Sequence, residues 1–406
     1  MADTTYISRD NLSGLIPEPI TREIIQGAIE ESAVLRMGRR LPNMTSNQQV
    51  LNVLDVLPTA YFVNGDTGTK KLTSMAWAKK KIYAEEIAVI VPIPEAALDD
   101  ANYDIWGEVR PRLQEAFGKV IDGAVVFGVN KPATWRESIL ATAVAAGNVV
   151  YPSDSSTVFN DIMGEHGLIA KVEEDGYMVN GFMGAVSLRA KLRGLVNSQG
   201  TPLYMQTLQE GAPRYALDGE PITFPMNGAF DPTLATLIAG DFNQLVYAIR
   251  SDIEFKVFTE GVVQDPATGD ILYNLMQNDM VALRATMRLG WEIPNPVNAF
   301  NAGKQNISPF AIYSPDAKLN FTDSTKSIAQ GASSTTTLNN ANGAVTLKVY
   351  DSDNKEVKSK VTASINEKTV TVAATADATT GTYKVVATDA AFDTASLTLT
   401  VTSAGG

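Results

Sequence analysis

The apolar positions near the N-terminus recur at the spacing of an α-helix. Within residues 17–40, the side chains of Ile20, Ile24 and Ala28 fall on one face of such a helix. We therefore predict a short helix on an N-terminal arm that spans residues 1–49.

A longer helical pattern lies between residues 105 and 124. Asp104 stands at the N-cap position, and Pro111 lies inside the pattern, so the helix is either kinked there or regular only from Pro111 onwards. A helix of this length extends about 33 Å. The apolar positions that recur every three to four residues are Ile105, Val109, Leu113, Ala116, Phe117, Val120 and Ala124.

Strand patterns flank this helix in the sequence. Residues 50–54 predict a strand that leads into a hairpin, and residues 82–93 form a β-rich run ended by prolines. Residues 280–293 predict a late strand that returns to the sheet beside the long helix. A strand that returns after so long an excursion indicates two lobes, one of which is inserted into the other.

The hairpin is the most informative of these elements. Residues 60–71 read AYFVNGDTGTKK, and Asn64-Gly65 is a strong hairpin-turn signal because both residues tolerate positive φ. A two-stranded arm cannot bury its own aromatic side chains, so they need a partner surface. We predict that the hairpin contacts another subunit. The residues assigned to this contact are Tyr61, Phe62, Asn64, Gly65, Asp66, Gly68, Lys70, Lys71 and Trp77.

The C-terminal quarter has a different pattern. All 12 Met and all 4 Trp lie at or before Trp291, and beyond residue 315 short runs alternate apolar with Thr, Ser or Lys. Turn residues separate these runs at 339–343, 351–354 and 378–381. The pattern predicts an all-β sandwich over residues 311–406.

These patterns together predict an α+β chain of several units. The expected units are the arm at 1–49, a hairpin and peripheral domain with the long helix at 50–134, an axial domain at 135–275, a return to the peripheral domain at 276–310, and the sandwich at 311–406.

The composition of the chain narrows the classes of function that it could have. The formal net charge of −12 argues against general nucleic-acid binding but suits a wall that lies beside a polyanion. The chain has no cysteine, which excludes disulfides and thiolate chemistry and fits a reducing cytoplasm. The N-terminus lacks the layout of a signal peptide, and no apolar run is long enough to span a membrane. We therefore expect a soluble protein that is cytoplasmic when made.

Candidate chemistry is sparse, and we predict no catalytic, cofactor or metal site. His166 is the only histidine and stands between glycines, which favours a loop residue over a catalytic one. The acidic runs at 265–270 and 351–354 fit turns better than calcium loops. The lysines at 70–81 favour a subunit contact or a solvated face over a nucleic-acid patch, because Glu85 and Glu86 follow at once.

An ordered series of short motifs over residues 15–300 resembles the major capsid proteins of tailed phages with the Hong-Kong-97-type fold, which encapsulin nanocompartments share. The sequence Gly381-Thr382-Tyr383, at the start of a late predicted strand, is similar to the corresponding strand of bacterial immunoglobulin-like modules. The capsid-like motifs are Ser32-Ala33-Val34-Leu35, Ala60-Tyr61-Phe62-Val63, Leu98-Asp99-Asp100, Asp122-Gly123-Ala124, Leu192-Arg193-Gly194-Leu195, Gly200-Thr201-Pro202-Leu203, Leu217-Asp218-Gly219-Glu220-Pro221, Gly240-Asp241-Phe242 and Arg288-Leu289-Gly290.

The resemblance implies a structural role in the virion capsid. Its implied partners are copies of the same chain in pentamers and hexamers of an icosahedral shell, a separate scaffolding protein, a portal, and packaged double-stranded DNA held without sequence-specific contact. In this family the hairpin is called the E-loop and the long helix the spine helix. Some members cross-link through Lys–Asn isopeptide bonds; Lys70 or Lys71 could supply the amine, but no Asn and carboxylate partner is identifiable.

The sandwich is expected to face outwards, with a role in decoration or in weak contact with glycans or cell surfaces. Three other functions stay open at this point. The first alternative is an encapsulin-type nanocompartment shell, the second is a cell-surface adhesin, and an enzyme comes last because no nucleophile–base pair is visible.

Overall fold

The computed structural model describes residues 32–63, 69–100, 104–152, 157–193, 205–209 and 212–403, with the backbone alone for 205–209 and 212–215. The helices of these residues are α1 Ala33–Met37, α2 Glu95–Asp99, α3 Ile105–Asp122, α4 Ile139–Ala146, α5 Val158–Met163, α6 Leu168–Glu174 and α7 Leu188–Arg193, with a π-helical turn at Gly123–Phe127 and a 3-10 turn at Phe242–Gln244. The first strands are β1 Arg39–Arg40, β2 Gln48–Val56, β3 Ala76–Tyr83, β4 Glu85–Pro94, β5 Val149–Val150, β6 Gly181–Gly184, β7 Met205–Gln209, β8 Ala212–Leu217 and β9 Glu220–Thr223. The next are β10 Leu237–Gly240, β11 Val246–Phe258, β12 Val262–Gln264, β13 Ile271–Asn274, β14 Met280–Glu292 and β15 Phe310–Tyr313. The last are β16 Asn320–Phe321, β17 Thr325–Ala329, β18 Ser333–Asn339, β19 Thr346–Tyr350, β20 Val361–Asn366, β21 Thr369–Ala374, β22 Gly381–Thr388 and β23 Thr394–Thr402.

The first sheet, here called the peripheral sheet, has the strand order β1-β11-β14-β4. The late strand β14 lies at its centre, as residues 280–293 predicted, and pairs with β4 from Met280↔Pro94 to Leu289↔Glu85. The predicted axial segment 135–275 was wrong for β11, because that strand pairs along most of its length with β14. The inserted lobe therefore ends before Val246.

The spine helix α3 is regular from Ile105, so the alternative start at Pro111 was wrong. Pro111 lies within the second turn, and the first turn is closed by a 3.3 Å bond from the Glu108 N–H to the Asp104 carbonyl. The Asp104 side chain makes no capping bond, although the residue is at the N-cap position. Gly128, with φ 77°, ends the π-helical turn that follows.

One face of α3 shares an apolar core with the peripheral sheet. Phe117 and Ile121 of the helix belong to the same buried cluster as Leu283 and Leu289 of β14. Trp291 lies in this cluster too, with its ring edge-to-face against Trp135 at 6.4 Å. The helix and the returning strand therefore form one rigid unit.

The second sheet, here called the axial sheet, has the order β5-β15-β10-β6-β9-β8-β7. Strand β15 was predicted to be part of the sandwich from residue 311 onwards, and that boundary was wrong. Phe310 and Ile312 are buried in the core of the two lobes, and the Ile312 N–H donates to the Asn148 carbonyl at 2.9 Å. The chain therefore leaves the axial sheet only after Tyr313.

The C-terminal unit is a β-sandwich of two four-stranded sheets, with orders β16-β18-β21-β20 and β17-β23-β22-β19. Strand β23 alternates between exposed and buried residues along its whole length, as the sequence pattern predicted. The Tyr383 hydroxyl donates to the Thr379 carbonyl at 2.8 Å inside this unit. The sandwich core consists of Leu319, Phe321, Ile328, Leu338, Val349, Val361, Val370, Val372, Ala374, Ala378, Tyr383, Val385, Ala387, Ala395, Leu397, Leu399 and Val401.

Candidate subunit interface

The predicted E-loop projects from the hairpin of β2 and β3. The two strands pair from Gln48↔Tyr83 to Val56↔Ala76, and the segment between them contains no strand among its described residues. The Thr59 N–H donates to the Thr73 hydroxyl at 2.8 Å, which brings the two sides of the loop together. The predicted contact residues Asn64, Gly65, Asp66 and Gly68 lie outside the described residues.

The described part of the E-loop exposes large apolar side chains. Phe62 is 108% exposed, Leu72 is 98% exposed and Trp77 is 61% exposed. Tyr61 is half-exposed, with the Lys71 ammonium group 4.9 Å from its ring centre. Large apolar side chains exposed together on one loop and its hairpin are typical of a surface that a partner covers.

One face of β3 is exposed to solvent and the other is partly or fully buried. Trp77, Lys79 and Lys81 are exposed on one face, while Lys80 and Ile82 point to the opposite face, where Ile82 is fully buried. The aromatic and cationic side chains of the outer face therefore remain available to a partner. Lys70, at the end of the loop, is exposed as well.

The base of the hairpin is fixed to the end of β14. The Lys80 ammonium group donates to the Ile293 carbonyl at 3.1 Å, and an Arg136 N–H donates to the same carbonyl at 2.7 Å. Arg136 also forms a 2.6 Å ion pair with Glu292. Burial lowers the pKa of Lys80, the nearby Arg136 charge lowers it further, and Glu292 opposes both effects. The exposed loop is thus carried on an anchored base.

The root of the N-terminal arm is held by a buried carboxylate of the spine helix. Asp122, which is 3% exposed, accepts hydrogen bonds from the Ser32 hydroxyl at 2.5 Å and from the Ala33 and Val34 N–H groups at 2.9 and 3.0 Å. The Asn227 amide donates to Asp122 Oδ2 at 2.7 Å, the same oxygen that accepts the Ala33 N–H. Burial raises the pKa of Asp122, and these four donors partly offset that rise.

The anchoring contacts of Lys80 and Asp122 were not predicted from the sequence. A signal for Asp122 was present, since a charged residue interrupts the apolar run Val120-Ile121 before Gly123-Ala124. A buried charge inside such a run needs hydrogen-bond partners. Its partners Ser32 and Asn227 lie 90 and 105 residues away in the chain, so the sequence could not identify them.

No chemical site emerges elsewhere in the described part of the chain. His166 lies exposed in the turn between α5 and α6, as predicted. In the acidic run at 351–354, the Asp351 carboxylate accepts the N–H groups of Asp353 and Lys355, which is the hydrogen bonding of a turn. Among the described residues, no group of three or more acidic, His or Cys side chains is placed to hold a metal ion. None of the described helices combines the length and apolar character needed to cross a membrane.

A long helix packed on a four-stranded sheet, a projecting hairpin and a second sheet are the arrangement expected of the Hong-Kong-97-type capsid fold. Comparison with known proteins agrees with this assignment. The model of the Phage capsid family matches residues 13–305, well over half of the chain. The chain therefore belongs to the phage capsid family and is a major capsid protein of a tailed phage.

Individual relatives support the same assignment. The "Major capsid protein" of Staphylococcus phage 80alpha is 28% identical over 283 residues, which cover 69% of this chain and 82% of the relative. A solved chain from Microbacterium phage Oxtober96 is 34% identical with a TM-score of 0.64, and covers 76% of this chain and 99% of its own length. A solved chain from Mycobacterium phage Adephagia is 28% identical with a TM-score of 0.63, and covers 77% and 99% respectively.

These matches have two consequences. They favour a phage capsid over the encapsulin-type alternative, and they place the protein in the virion capsid as one of many assembled copies. The family match ends at residue 305, before the sandwich begins.

Proposed function

We propose that this chain closes, as pentamers and hexamers, into an icosahedral shell around double-stranded phage DNA, and that the E-loop is a contact between its subunits. The single observation that carries the E-loop contact is the exposure of Phe62, which is complete, on a loop with an anchored base. Phe62 is exposed together with Leu72 and Trp77 of the same loop and hairpin, and such a group is typical of a surface that a partner covers. The role is structural, with no catalysis by this chain.

In the proposed E-loop contact, apolar side chains supply the free energy of association and lysines fix the position of the loop on its neighbour. Complete burial of an apolar side chain of this size contributes about 1.5–3 kcal/mol, so Phe62, Leu72 and Trp77 supply most of the free energy of association. Exposed lysine–carboxylate pairs contribute about 0–1 kcal/mol each. Lys70 and Lys71 therefore set the register of the loop on its neighbour more than its strength.

The test is the variant Phe62→Ala, with Phe300→Ala as its matched control. Phe300 is another exposed phenylalanine, at 80%, in a turn distant in sequence from the loop. We expect Phe62→Ala to weaken assembly about tenfold or more, measured as the protein concentration at which shells sediment. Equal assembly by the two variants would overturn the E-loop proposal.

The proposal that the shell encloses DNA is tested by identifying what purified particles contain. A net charge of −12 gives a wall that repels DNA over much of its surface, which suits packaging without sequence-specific contact. Electron microscopy and nuclease-protected nucleic acid from purified particles should show double-stranded DNA inside. A defined protein cargo with no DNA would instead support a nanocompartment.

Assembly in the host cytoplasm would use a separate scaffolding protein and a portal. This part of the proposal is supported by membership of the phage capsid family. Co-expression in a host with the scaffolding and portal proteins of the same phage should increase the yield of closed shells of uniform size. Uniform shells formed by this chain alone would count against a scaffolding requirement.

The sandwich is assigned as an outward-facing immunoglobulin-like domain with weak affinity for glycans or cell surfaces. Its outer surface supports this, because the exposed positions of β18, β20 and β21 are uncharged. The exposed positions share rows of the sheet with the half-buried Thr371 and Ala373, and the rows are Ser333–Ala373–Thr362, Thr335–Thr371–Ser364 and Thr337–Thr369–Asn366. Hydroxyl and amide groups at regular spacing suit hydrogen bonding to sugars.

Particles provide the test of this assignment. Full-length particles and particles ending at Tyr313 would be titrated against host cell walls and a glycan set. We expect binding only by the full-length particles, because many copies multiply a weak contact. Equal binding by both particle types, or binding by neither, would refute a glycan role for the sandwich.

The domain boundaries are proposed in revised form. The peripheral domain combines residues 50–134 with 246–305, the axial domain combines 135–245 with 306–313, and the sandwich starts at 314. The strand pairing in the two sheets supports this division. Limited proteolysis of the assembled protein should cut between these units before it cuts inside them.

A further inference from the structure

The sandwich is joined to the axial sheet by a short stretch of chain. The Ser314 N–H still donates to the Val150 carbonyl at 2.9 Å, beside the edge strand β5. Leu319, five residues later, is 2% exposed and already belongs to the sandwich core. A fully extended chain spans about 3.3–3.6 Å per residue, so the two units lie within about 18 Å of each other along this connection.

A second contact ties the two units at a distant point of the sequence. The Tyr151 hydroxyl, next to β5, donates a hydrogen bond to the Asp393 carboxylate of the sandwich, 242 residues away. Asp393 is 4% exposed, although it lies in the loop between β22 and β23. The contact is therefore largely shielded from water.

The loop that presents Asp393 is itself rigid. The Asp389 carboxylate accepts the N–H groups of Asn342, Ala391 and Asp393 at 2.9, 2.9 and 3.0 Å. Three backbone bonds to one buried carboxylate fix the loop before the tyrosine approaches. Burial raises the pKa of Asp393, and the Tyr151 hydroxyl, the Leu319 backbone and the Lys318 charge of the connecting stretch partly offset that rise.

We propose that the hydrogen bond between Tyr151 and Asp393 locks the sandwich onto the axial sheet in one orientation, so that the sandwich is a rigid extension of the capsid subunit. A single covalent connection leaves a domain free to rotate, and intra-chain interfaces of small area allow motion by default. Attachment at both residue 319 and residue 393 removes that rotation. The proposal rests on the position of these contacts and not on what the sandwich binds.

The lock also determines which end of the sandwich points away from the capsid. Strand β22 runs from Gly381 to Thr388 towards the locked loop, and β23 runs back from Thr394. The turns at the opposite end include those before Gly381 and after Tyr350, at residues 375–380 and 351–360, and the turn at 330–332. These turns form the distal end of the locked sandwich.

The absence of cysteine gives a direct test, because an introduced cysteine pair is the sole thiol pair in the chain. Met178→Cys on the axial lobe and Thr382→Cys on the sandwich are both at exposed positions. Each would carry a nitroxide spin label in assembled particles diluted with unlabelled chain. Electron paramagnetic resonance would then measure the distribution of distances between the two labels.

We expect one narrow distance in the parent pair and loss of that narrow distance when Tyr151→Phe is added. Tyr151→Phe removes a hydroxyl outside the sandwich, so the sandwich itself stays folded. Tyr383→Phe is the matched control, because it removes a hydroxyl bonded only within the sandwich, and it should keep the narrow distance. A broad distribution in the parent, or an unchanged narrow one with Tyr151→Phe, would overturn the lock. Broadening by Tyr383→Phe as large as that by Tyr151→Phe would overturn it too.

Discussion

The Ser32 hydroxyl donates a 2.5 Å hydrogen bond to the Asp122 carboxylate, and this bond joins the start of α1 to the end of the spine helix. Ser32 also caps its own helix, since its oxygen accepts the Leu35 N–H at 3.1 Å. One carboxylate thus satisfies the first N–H groups of α1, which no intrahelical partner could reach. The orientation of the arm at its root depends on this contact.

Replacement of Asp122 by Asn should destabilise the folded subunit by about 1–3 kcal/mol. Each carboxylate oxygen accepts two donors, and an amide NH2 group in place of one oxygen would face two donors with no acceptor. Thermal or urea unfolding measures the loss. Glu115→Gln on the same helix, which removes a partly exposed pair with Arg112, should cost at most about 1 kcal/mol. Equal losses would contradict the role given to Asp122.

Mild acid should stabilise the protein relative to neutral pH. Burial raises the pKa of Asp122, Asp389 and Asp393 above the ordinary value of an aspartate. The folded state then binds more protons than the unfolded state between the ordinary and the raised pKa. The contribution of these three groups to the free energy of unfolding is complete below their pKa in the unfolded chain. It is lost as the pH rises through their higher pKa in the folded protein.

The exposed aspartates act in the opposite sense but at lower pH. Hydrogen bonds lower the pKa of Asp323 and Asp377, so their contribution is lost only as the pH falls below the ordinary value. The melting temperature should therefore rise on acidification from pH 7 towards 5. The rise should be smaller in Asp122→Asn, and a melting temperature that falls over this range would refute the assignment.

Glycine at position 290 is required by the close crossing of β14 and the hairpin base. A Cβ at Gly290 would lie 2.3 Å from the Tyr83 carbonyl oxygen and 2.6 Å from an Ile82 methyl group. Gly290→Ala should cost about 1–3 kcal/mol and displace the hairpin. Gly123→Ala is the control, since its Cβ would make one ordinary contact at 3.8 Å. Unfolding midpoints and hydrogen exchange of β3 would separate the two variants.

The ion pair beneath the hairpin should be more costly to break than a surface pair. Glu292→Gln leaves Lys80 and Arg136 as two cations around one carbonyl, and the pair is mostly buried, at 19% and 13% side-chain exposure. We expect the free energy of unfolding to fall by about 3 kcal/mol, near the lower end of the cost of removing one partner from a buried ion pair. Glu254→Gln, whose pair with Lys256 is more than half exposed, should change stability by at most about 1 kcal/mol. Denaturant unfolding of both variants compares the two directly.

The sequence predicted the elements whose pattern repeats within one segment. The period of α3, the alternation of β23 and the long strand β14 each depend on residues close together in the chain. The composition change after Trp291 likewise predicted a separate C-terminal unit. Local spacing and local composition were sufficient for these predictions.

The errors and omissions concern contacts between distant segments. Strand β11 was assigned to the axial lobe because nothing within it indicates that its partner is β14. The Lys80–Ile293 and Tyr151–Asp393 contacts join residues separated by more than 200 positions. Such pairings are fixed by the packing of whole sheets, which a single sequence does not display.

The complete exposure of Phe62 also affects the life of the subunit before assembly. An uncovered aromatic side chain adheres to other apolar surfaces without selectivity. Free chains therefore aggregate, and the rate of aggregation grows with their concentration. Under the proposed E-loop contact, growth of the shell covers the side chain and removes free chains from this hazard. The timing of synthesis relative to assembly therefore decides how many chains become capsid and how many become aggregate.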